Sequence, residues 1–155
     1  MSDLLKLSTP FPDNLVKAAP SGKYGSYVKH STVTERLLSI VGPFDYEVVE
    51  IVRGYAPPVK GKDGTKDKPT YPGRDNAIVG CLARLTLTID GDTRTVTETG
   101  DVEEPAMNTD GRNLKDASSD AIKRCAMRFG LGLHLWSQGD YFLEIQLISN
   151  EGGEE

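Results

Sequence analysis

A group of cations in the longest helical pattern of the chain is the first feature that could do chemistry. Lys123, Arg124 and Arg128 crowd one stretch, and Arg124 and Arg128 are one helical turn apart. Cations near a helix C-terminus often only complement the negative end of the helix dipole. The same side chains can instead form a phosphate-binding ridge on a packed helix. The pattern alone leaves both interpretations open.

A second group alternates aromatic rings with lysines just before a predicted helix. Lys23, Tyr24, Tyr27 and Lys29 follow one another closely. Rings that stack on bases and cations that contact phosphates are typical of loops that bind single-stranded nucleic acid. The same composition is common on ordinary protein surfaces, so the residues are candidate contacts that the pattern does not decide.

A third set of cations lies in residues 54–76, a polar segment rich in glycine and proline. Five cations there outnumber three carboxylates. The breaker residues predict a long loop or ragged hairpin outside the core. It is either a solvated loop or a second, electrostatic contact to nucleic acid. The lysines that would make this second contact are Lys60, Lys62, Lys66 and Lys68.

Motifs of enzyme chemistry are missing from the sequence. It contains no GxxxxGK[ST], GxSxG or HExxH pattern, and its two cysteines and two histidines lack metal-binding spacing. Asp116 and Asp120 lie one helical turn apart and could join His134 in a metal-dependent site. Such acid pairs on helices are far more often solvent-exposed. We therefore expect no enzyme activity, no metal and no cofactor.

Composition and charge further limit the class of protein. The 155 residues, 37% hydrophobic and 26% charged, predict one globular domain that needs no disulfide. Cys81 and Cys125 alternate with core residues and are expected to be buried thiols. No apolar stretch reaches the roughly 20 residues of a membrane span, and the N-terminus lacks a signal-peptide pattern, which favours a cytoplasmic protein. The net charge of −5 means that local cations would have to make any contact with nucleic acid.

A helix predicted within residues 113–136 must position the first group of cations. Its apolar residues recur at three- and four-residue steps and so share one face. Asp110 or Asn113 is the expected N-cap, and Gly130 and Gly132 are the expected stop. The shared face consists of Leu114, Ala117, Ala121, Ile122, Cys125 and Phe129.

A second helix is predicted in residues 24–41. Thr32 and Glu35 have the spacing of a capping box, and Gly42 is the expected stop. The segment 1–23 that precedes it predicts an extended arm with one turn of helix near 14–18. Such a terminal arm is either frayed or docked on another subunit.

Two regions predict β structure. Residues 44–53 carry apolar side chains on both faces of a strand, which suits a sheet that is covered on both sides. Residues 77–98 form the clearest hairpin, because alternating apolar residues flank the turn-forming pair Asp90-Gly91. Beyond these regions, residues 140–147 predict a short helix or strand.

The order of these features resembles the Rad52 superfamily of single-strand annealing proteins, which includes phage recombination proteins of the Sak type. The similarity spans residues 24–141 and rests on three stretches. They are YVKHSTVTERLLSIVG at 27–42, the hairpin at 79–99 that runs into TVTETGDVEE, and DASSDAIKRCAMRFGLGL at 116–133. The third stretch, with its acidic-Ala-x-x-Asp, Lys-Arg and Phe-Gly elements, is the most specific of the three.

The resemblance implies an α+β fold in which a curved antiparallel sheet of β-hairpins packs against a long central helix. It also implies that subunits assemble into a ring or helical homo-oligomer. The chain would then divide into an N-terminal arm (1–23), a single-strand annealing domain (24–147) and an acidic, disordered tail (148–155).

The same resemblance implies roles for individual residues. Lys123 and Arg124 match a Lys-Arg pair that contacts the DNA backbone, and Lys115 matches a basic position earlier on the helix. The family's next arginine falls on Met127, so Arg128 is displaced by one position, which rotates a helical side chain by about 100°. The candidate DNA contacts are Lys123, Arg124, Arg128, Lys115, Tyr27 and Lys29, with the lysines of the 54–76 segment as the second set.

The implied function is ATP-independent binding of single-stranded DNA and annealing of complementary strands in recombination and repair. A single-strand-binding protein or an exonuclease would be a partner. The chain lacks the long extra region through which eukaryotic members recruit partners, which favours a phage or bacterial annealer in the cytoplasm of the host. The alternatives are a module that protects single strands without pairing them, although its usual barrel fold does not suit the central helix, or an interaction scaffold.

Overall fold

The computed structural model describes residues 1–19, 25–60, 71–137 and 139–153 and has an α+β architecture. Its helices are α1 (Asp3–Ser8), α2 (His30–Val41), α3 (Asp110–Met127), α4 (Leu133–Trp136) and α5 (Leu143–Glu151). Its strands are β1 (Lys17–Ala18), β2 (Ser26–Tyr27), β3 (Asp45–Ala56), β4 (Arg74–Ile89) and β5 (Asp92–Asp101). Short 3-10 turns lie at Asp13–Leu15 and Pro105–Met107. Within the described ranges, no helix is long and apolar enough to cross a membrane.

The main layer is an antiparallel sheet in the order β3-β4-β5. At the β4-β5 turn, Ile89 lies opposite Asp92, and Asp90 and Gly91 have φ values of 49° and 84°. Two consecutive positive φ values are the mark of a type I′ turn. The predicted hairpin and its turn are therefore confirmed. Strands β1 and β2 form a separate two-stranded ribbon.

Helix α3 packs across β4 and β5 at a very short distance. A Cβ atom at Gly100 on β5 would overlap the carbonyl oxygen of Ala117 on α3 and crowd the Cβ of Ala121. Ala117, Ala121 and Cys125 are fully buried at this contact. The small residues predicted for the buried face of the helix thus allow the helix and the sheet to approach closely.

The N-cap of α3 differs from the prediction. Thr109 is the cap, and its hydroxyl accepts a hydrogen bond from the N–H of Arg112 at 3.3 Å. Asp110 is the first helical residue, and its carboxylate binds other elements. Asn113 is fully buried within the helix and donates to the carbonyl of Pro105 at 2.9 Å. Three polar residues of similar capping propensity follow each other closely here, so the pattern did not identify the one that caps.

The start of α2 was also predicted wrongly. The helix begins at His30 with Lys29 as its cap residue, and that cap makes no side-chain hydrogen bond. Thr32 and Glu35 therefore lie inside the helix and do not form a capping box. The predicted end is confirmed, because Gly42 is the C-cap with φ 74°.

Strand β3 is the exposed edge of the sheet, contrary to the expectation that both its faces are covered. Helix α3 packs mainly on β4 and β5 and leaves β3 largely uncovered. Apolar side chains on both faces of β3 are 37–62% exposed: Val48, Val49, Ile51, Val52 and Tyr55. The apolar pattern on two faces thus marks a surface that the described residues leave largely uncovered.

Both ends of the described chain contain helical residues that were not predicted. Helix α1 lies upstream of the turn expected near 14–18, and Leu7 and Phe11 are buried in the main core cluster. These first residues therefore pack on the core of the same chain. At the other end, α5 continues to Glu151, whose carboxylate accepts from the N–H of Ser2 at 2.7 Å. This helix extends into the segment 148–155, which was expected to be disordered.

Both cysteines are buried free thiols, as predicted. The Cys125 thiol donates to the carbonyl of Ala83 at 3.8 Å across the α3-β4 contact. Burial raises the pKa of Cys125 to about 11. The thiol therefore stays protonated at neutral pH and serves packing.

Candidate nucleic-acid interface

A groove of about 510 Å³ lies between β2, the second half of α3 and α4. Apolar residues line part of it, and aromatic, cationic and acidic side chains line the rest. The apolar lining includes Val28, Val33, Leu131 and Leu135, and the other lining residues include Tyr27, Lys123, Trp136, Asp120 and Glu103. We refer to this feature as the aromatic groove.

The aromatic groove brings together two residues that were predicted from separate patterns. The Nζ of Lys123 lies 5.9 Å from the centroid of the Tyr27 ring, which is at the limit of a cation–π contact. Tyr27 is 40% exposed, so part of its ring remains open to a ligand. Lys123 forms no ion pair with any residue that the structure describes, and its charge is available to an anion.

Arg124 lines an adjacent cavity and contacts two residues of the groove lining, Asp120 and Trp136. Its Nε donates to Oδ2 of Asp120 at 3.0 Å, and its guanidinium lies 5.0 Å from the centroid of the Trp136 ring. The same Asp120 oxygen accepts from the N–H of Asp101 at 3.0 Å. A chain of contacts from β5 through Asp120 and Arg124 thus holds Trp136 in place.

Trp136 is the groove residue that the sequence interpretation missed. It is the single tryptophan of the chain and is 42% exposed. The turn through Gly130 and Gly132, which both have positive φ, redirects the chain after α3 so that α4 returns beside the helix. An exposed tryptophan directly after a glycine-rich turn could have suggested this role.

Arg128 lies apart from the aromatic groove. It makes a 2.6 Å ion pair with Glu98 on β5, and the hydrogen bond from Arg128 lowers the pKa of that carboxyl. Arg128 is 59% exposed. Arg128 therefore contacts the edge strand β5 and does not line the groove.

The remaining predicted contacts are dispersed. Lys115 is exposed and lines a different cavity, of about 630 Å³, between α3 and β3, together with His30 and Val48. Lys29 is exposed just before α2, two residues after Tyr27. Lys29 is thus close in sequence to the groove residue Tyr27, whereas Lys115 lies on another side of α3.

The second set of lysines is only partly described. Lys60 is exposed directly after Val59, which forms a β-bridge with Tyr71. Lys62, Lys66 and Lys68 lie outside the described residues. The base of this segment is a continuation of the β3-β4 hairpin, and its contact with nucleic acid stays a prediction.

The three residues of the possible metal-dependent site, Asp116, Asp120 and His134, each bind a different residue. Asp116 binds Arg112 at 3.1 Å, whereas Asp120 binds Arg124. His134 accepts the N–H of Phe11 at its Nε2 atom, at 3.4 Å. Across the described ranges, no group of three or more His, Cys, Asp or Glu residues is arranged to hold a metal ion.

Comparison with known proteins identifies the family. The family model described as Rad52/22 family double-strand break repair protein matches residues 5–153, a range that includes the N-terminal residues packed in the core. No individual curated protein matches the chain significantly. The match indicates DNA recombination and repair as the field of action and agrees with the antiparallel sheet and the helices described above. The chain therefore belongs to the Rad52/22 family of double-strand break repair proteins.

Proposed function

We propose that the protein binds single-stranded DNA and anneals complementary strands without ATP. The observation that carries this proposal is the aromatic groove, where Lys123 lies over Tyr27 and where Arg124, at the edge of the groove, lies over Trp136. Rings for stacking and cations for phosphates are the combination that binds single strands without sequence preference. Membership of a double-strand break repair family supports DNA as the ligand.

The ion pairs of the arginines in the second half of α3 and just after it suggest how a net acidic chain binds DNA. Lys123 can meet a phosphate directly, whereas Arg124 and Arg128 are paired with Asp120 and Glu98. Both pairs are partly buried, with the Asp120 side chain 28% and the Glu98 side chain 17% exposed. Lys123 is therefore the cation that can meet a phosphate without the loss of an existing ion pair, and this contact gains strength from the release of counterions.

We also propose that the protein acts as a homo-oligomer. The outer edge of β3 is not paired with any other described strand and presents exposed apolar side chains. A second apolar stripe on and next to α5 consists of Phe142, Ile145 and Ile148, each at least 54% exposed. Two different apolar surfaces on one chain suit head-to-tail contacts, which produce rings or helical filaments. Repetition of a weak binding site around such an assembly multiplies its affinity.

The assembly is tested by placing a charge on the β3 surface. Ile51→Lys is expected to lower the molar mass measured by light scattering, because a lysine cannot be buried without a partner. Thr97→Lys, on the exposed part of β5, is the matched control and should retain the mass of the unmodified protein. An unchanged mass for Ile51→Lys would remove β3 from the interface.

The function is tested by the annealing rate of two complementary labelled oligonucleotides, with a chelator present and no nucleotide. We expect acceleration well above the spontaneous rate. Lys123→Ala should lower both strand affinity and annealing rate, whereas Lys6→Ala, a matched loss of a lysine on α1, should retain both. Tight binding with slowed pairing would identify a protective module instead. Absence of binding by the unmodified protein would overturn the proposal.

A further inference from the structure

The aromatic groove has a more apolar lining than contacts to a DNA backbone require. We propose that it is a pocket for one unstacked nucleobase per subunit, with Trp136 as the stacking surface. This inference rests on the proposed binding of single-stranded DNA and assigns a distinct task to one site within it. The other bases of the bound strand would stay outside the pocket and remain available for pairing.

Size and lining fit a flat heterocycle. The volume of about 510 Å³ lies within the range of small-molecule pockets, roughly 300–1,000 Å³. Its apolar lining includes Val28, Val33 and Leu131, which are at most 4% exposed and belong to the core. An apolar lining that also includes the two aromatic rings of Tyr27 and Trp136 suits the faces of a base.

The charges of the lining favour a base over a phosphate. The lining contains two carboxylates, Asp120 and Glu103, and one cation, Lys123, so its formal charge does not favour an anion inside the groove. A nucleobase carries no charge, and its amino groups can donate hydrogen bonds to carboxylates, which only accept. Lys123 stands over Tyr27 and can hold the phosphate of the same nucleotide at the mouth. The distribution of charge therefore favours a base inside and a phosphate at the rim.

Trp136 is fixed in place before any ligand arrives. The Arg124 guanidinium covers its ring at 5.0 Å, and Asp120 in turn holds Arg124. The hydroxyl of Ser137 donates to the carbonyl of Leu133 at 2.9 Å and closes the short helix around the tryptophan. A ring that is already ordered loses little conformational freedom on stacking, and this preorganisation favours binding.

The single tryptophan makes the pocket directly observable. The probes are an oligodeoxycytidylate, whose bases carry amino groups, and an abasic oligonucleotide of equal length that keeps only the sugar-phosphate backbone. Strand binding is followed by the anisotropy of a label on the DNA, and the pocket is followed by the fluorescence of Trp136. We expect both probes to bind, and only the base-carrying probe to quench Trp136.

The outcomes separate this inference from the proposed function. Saturated binding of both probes with equal quenching, or with none, would refute the base pocket and leave strand binding intact. Failure of both probes to bind would refute the proposed function as well. Quenching by the oligodeoxycytidylate alone would support the pocket.

Substitution of the stacking ring gives a second test. Trp136→Ala is expected to weaken binding of the oligodeoxycytidylate by about tenfold, the typical loss for one stacked base, and to leave abasic binding unchanged. Trp136→Phe keeps an aromatic face and should retain most of the affinity. An equal loss for both probes in Trp136→Ala would show that the ring only supports the fold, and this would overturn the proposal.

Discussion

The two halves of α3 carry the same kinds of residue and use them differently. In the first half, Arg112 binds Asp116 at 3.1 Å in a pair exposed to solvent. In the second half, Arg124 binds Asp120 at 3.0 Å, and its guanidinium also lies over Trp136. The charge pattern is nearly the same in both. The difference comes from aromatic side chains that β2 and α4 bring only to the second half.

The first half instead anchors the helix to the sheet. The carboxylate of Asp110 accepts from the N–H of Ile78 at 3.2 Å and binds Arg53 and Arg74 at 3.1 and 3.3 Å. The backbone hydrogen bond from Ile78, together with the two arginines, lowers the pKa of Asp110. A cation on a helix therefore indicates a ligand contact only when neighbouring elements leave it accessible and supply complementary groups.

The largest effect is expected from the contact that fixes both halves on the sheet. A side chain at Gly100 would overlap the backbone of α3 at Ala117, so Gly100→Ala must shift the helix. Overpacking of this kind costs about 1–3 kcal/mol or more, and urea denaturation should show at least this loss in the free energy of unfolding. Gly111→Ala, in the first turn of α3, meets open space and should stabilise the helix by about 0.5–1 kcal/mol.

Opposite signs for these two glycine substitutions would confirm that the helix is held most tightly at its centre. A Gly100→Ala variant as stable as the unmodified protein would mean that the close packing of α3 on β5 is not required. The two halves of α3 would then not be held on the sheet by this contact.

The next largest effect is a difference in single-strand binding between variants of Lys123 and Lys115. Lys123→Ala should weaken single-strand binding and reduce the salt slope of log affinity by about 0.7, the value for one lost phosphate contact. Lys115→Ala should change the affinity and the salt slope less, because Lys115 lines the cavity beside β3 and not the aromatic groove. Affinity measured over a series of salt concentrations provides the test. Equal slopes for the two variants would extend the DNA path along the whole helix.

A smaller effect, of opposite sign, is expected from the carboxylates. Asp120→Asn removes a negative charge from the groove and frees Arg124 for a phosphate, while the amide oxygen can still accept from Asp101. We expect affinity for single strands to rise about fivefold, which corresponds to roughly 1 kcal/mol. Asp116→Asn is the matched change in the first half and should leave affinity nearly unchanged. A loss of affinity in Asp120→Asn would show that the ordering of Arg124 matters more than its release.

The fold was largely predictable where the pattern was local. The alternation in β4 and the Asp90-Gly91 turn depend on neighbours in sequence, and the structure confirms them. Four of the six residues predicted for the buried stripe of α3 are buried, whereas Leu114 is half-buried and Phe129 lies beyond the end of the helix. Helix α1 was missed because six residues are too few for a periodic signal, and its burial depends on core residues far along the chain.

The candidate site was less predictable than the fold. Sequence patterns selected Tyr27 and Lys123 separately, but only the tertiary structure shows that they meet. Trp136 and the pairing of Arg128 with Glu98 depend on how the chain turns after α3 and on its distance from β5. Long-range pairing of this kind leaves no periodic trace in one sequence.

The smallest expected effect concerns the short helix that carries Trp136. Burial, with a further contribution from Arg36, lowers the pKa of His134, and the neutral ring accepts the N–H of Phe11. As the pH falls, the His134 ring of the unfolded chain therefore takes up a proton first, near the ordinary histidine pKa of about 6.5. The free energy of unfolding should decrease from about pH 7 down to the folded pKa, and this contribution should be fully present above that range.

Urea denaturation at several pH values, followed by Trp136 fluorescence, measures this dependence. His134→Gln keeps an acceptor for Phe11 but cannot titrate, so its stability should vary less between about pH 5.5 and 7.5. Because His134 and Trp136 share α4, protonation should perturb the second half of α3 and its groove before it perturbs the anchor at Asp110. The same pH dependence in both proteins would assign the titration to another group. The two ends of α3 would then not differ in their response to acid through this histidine.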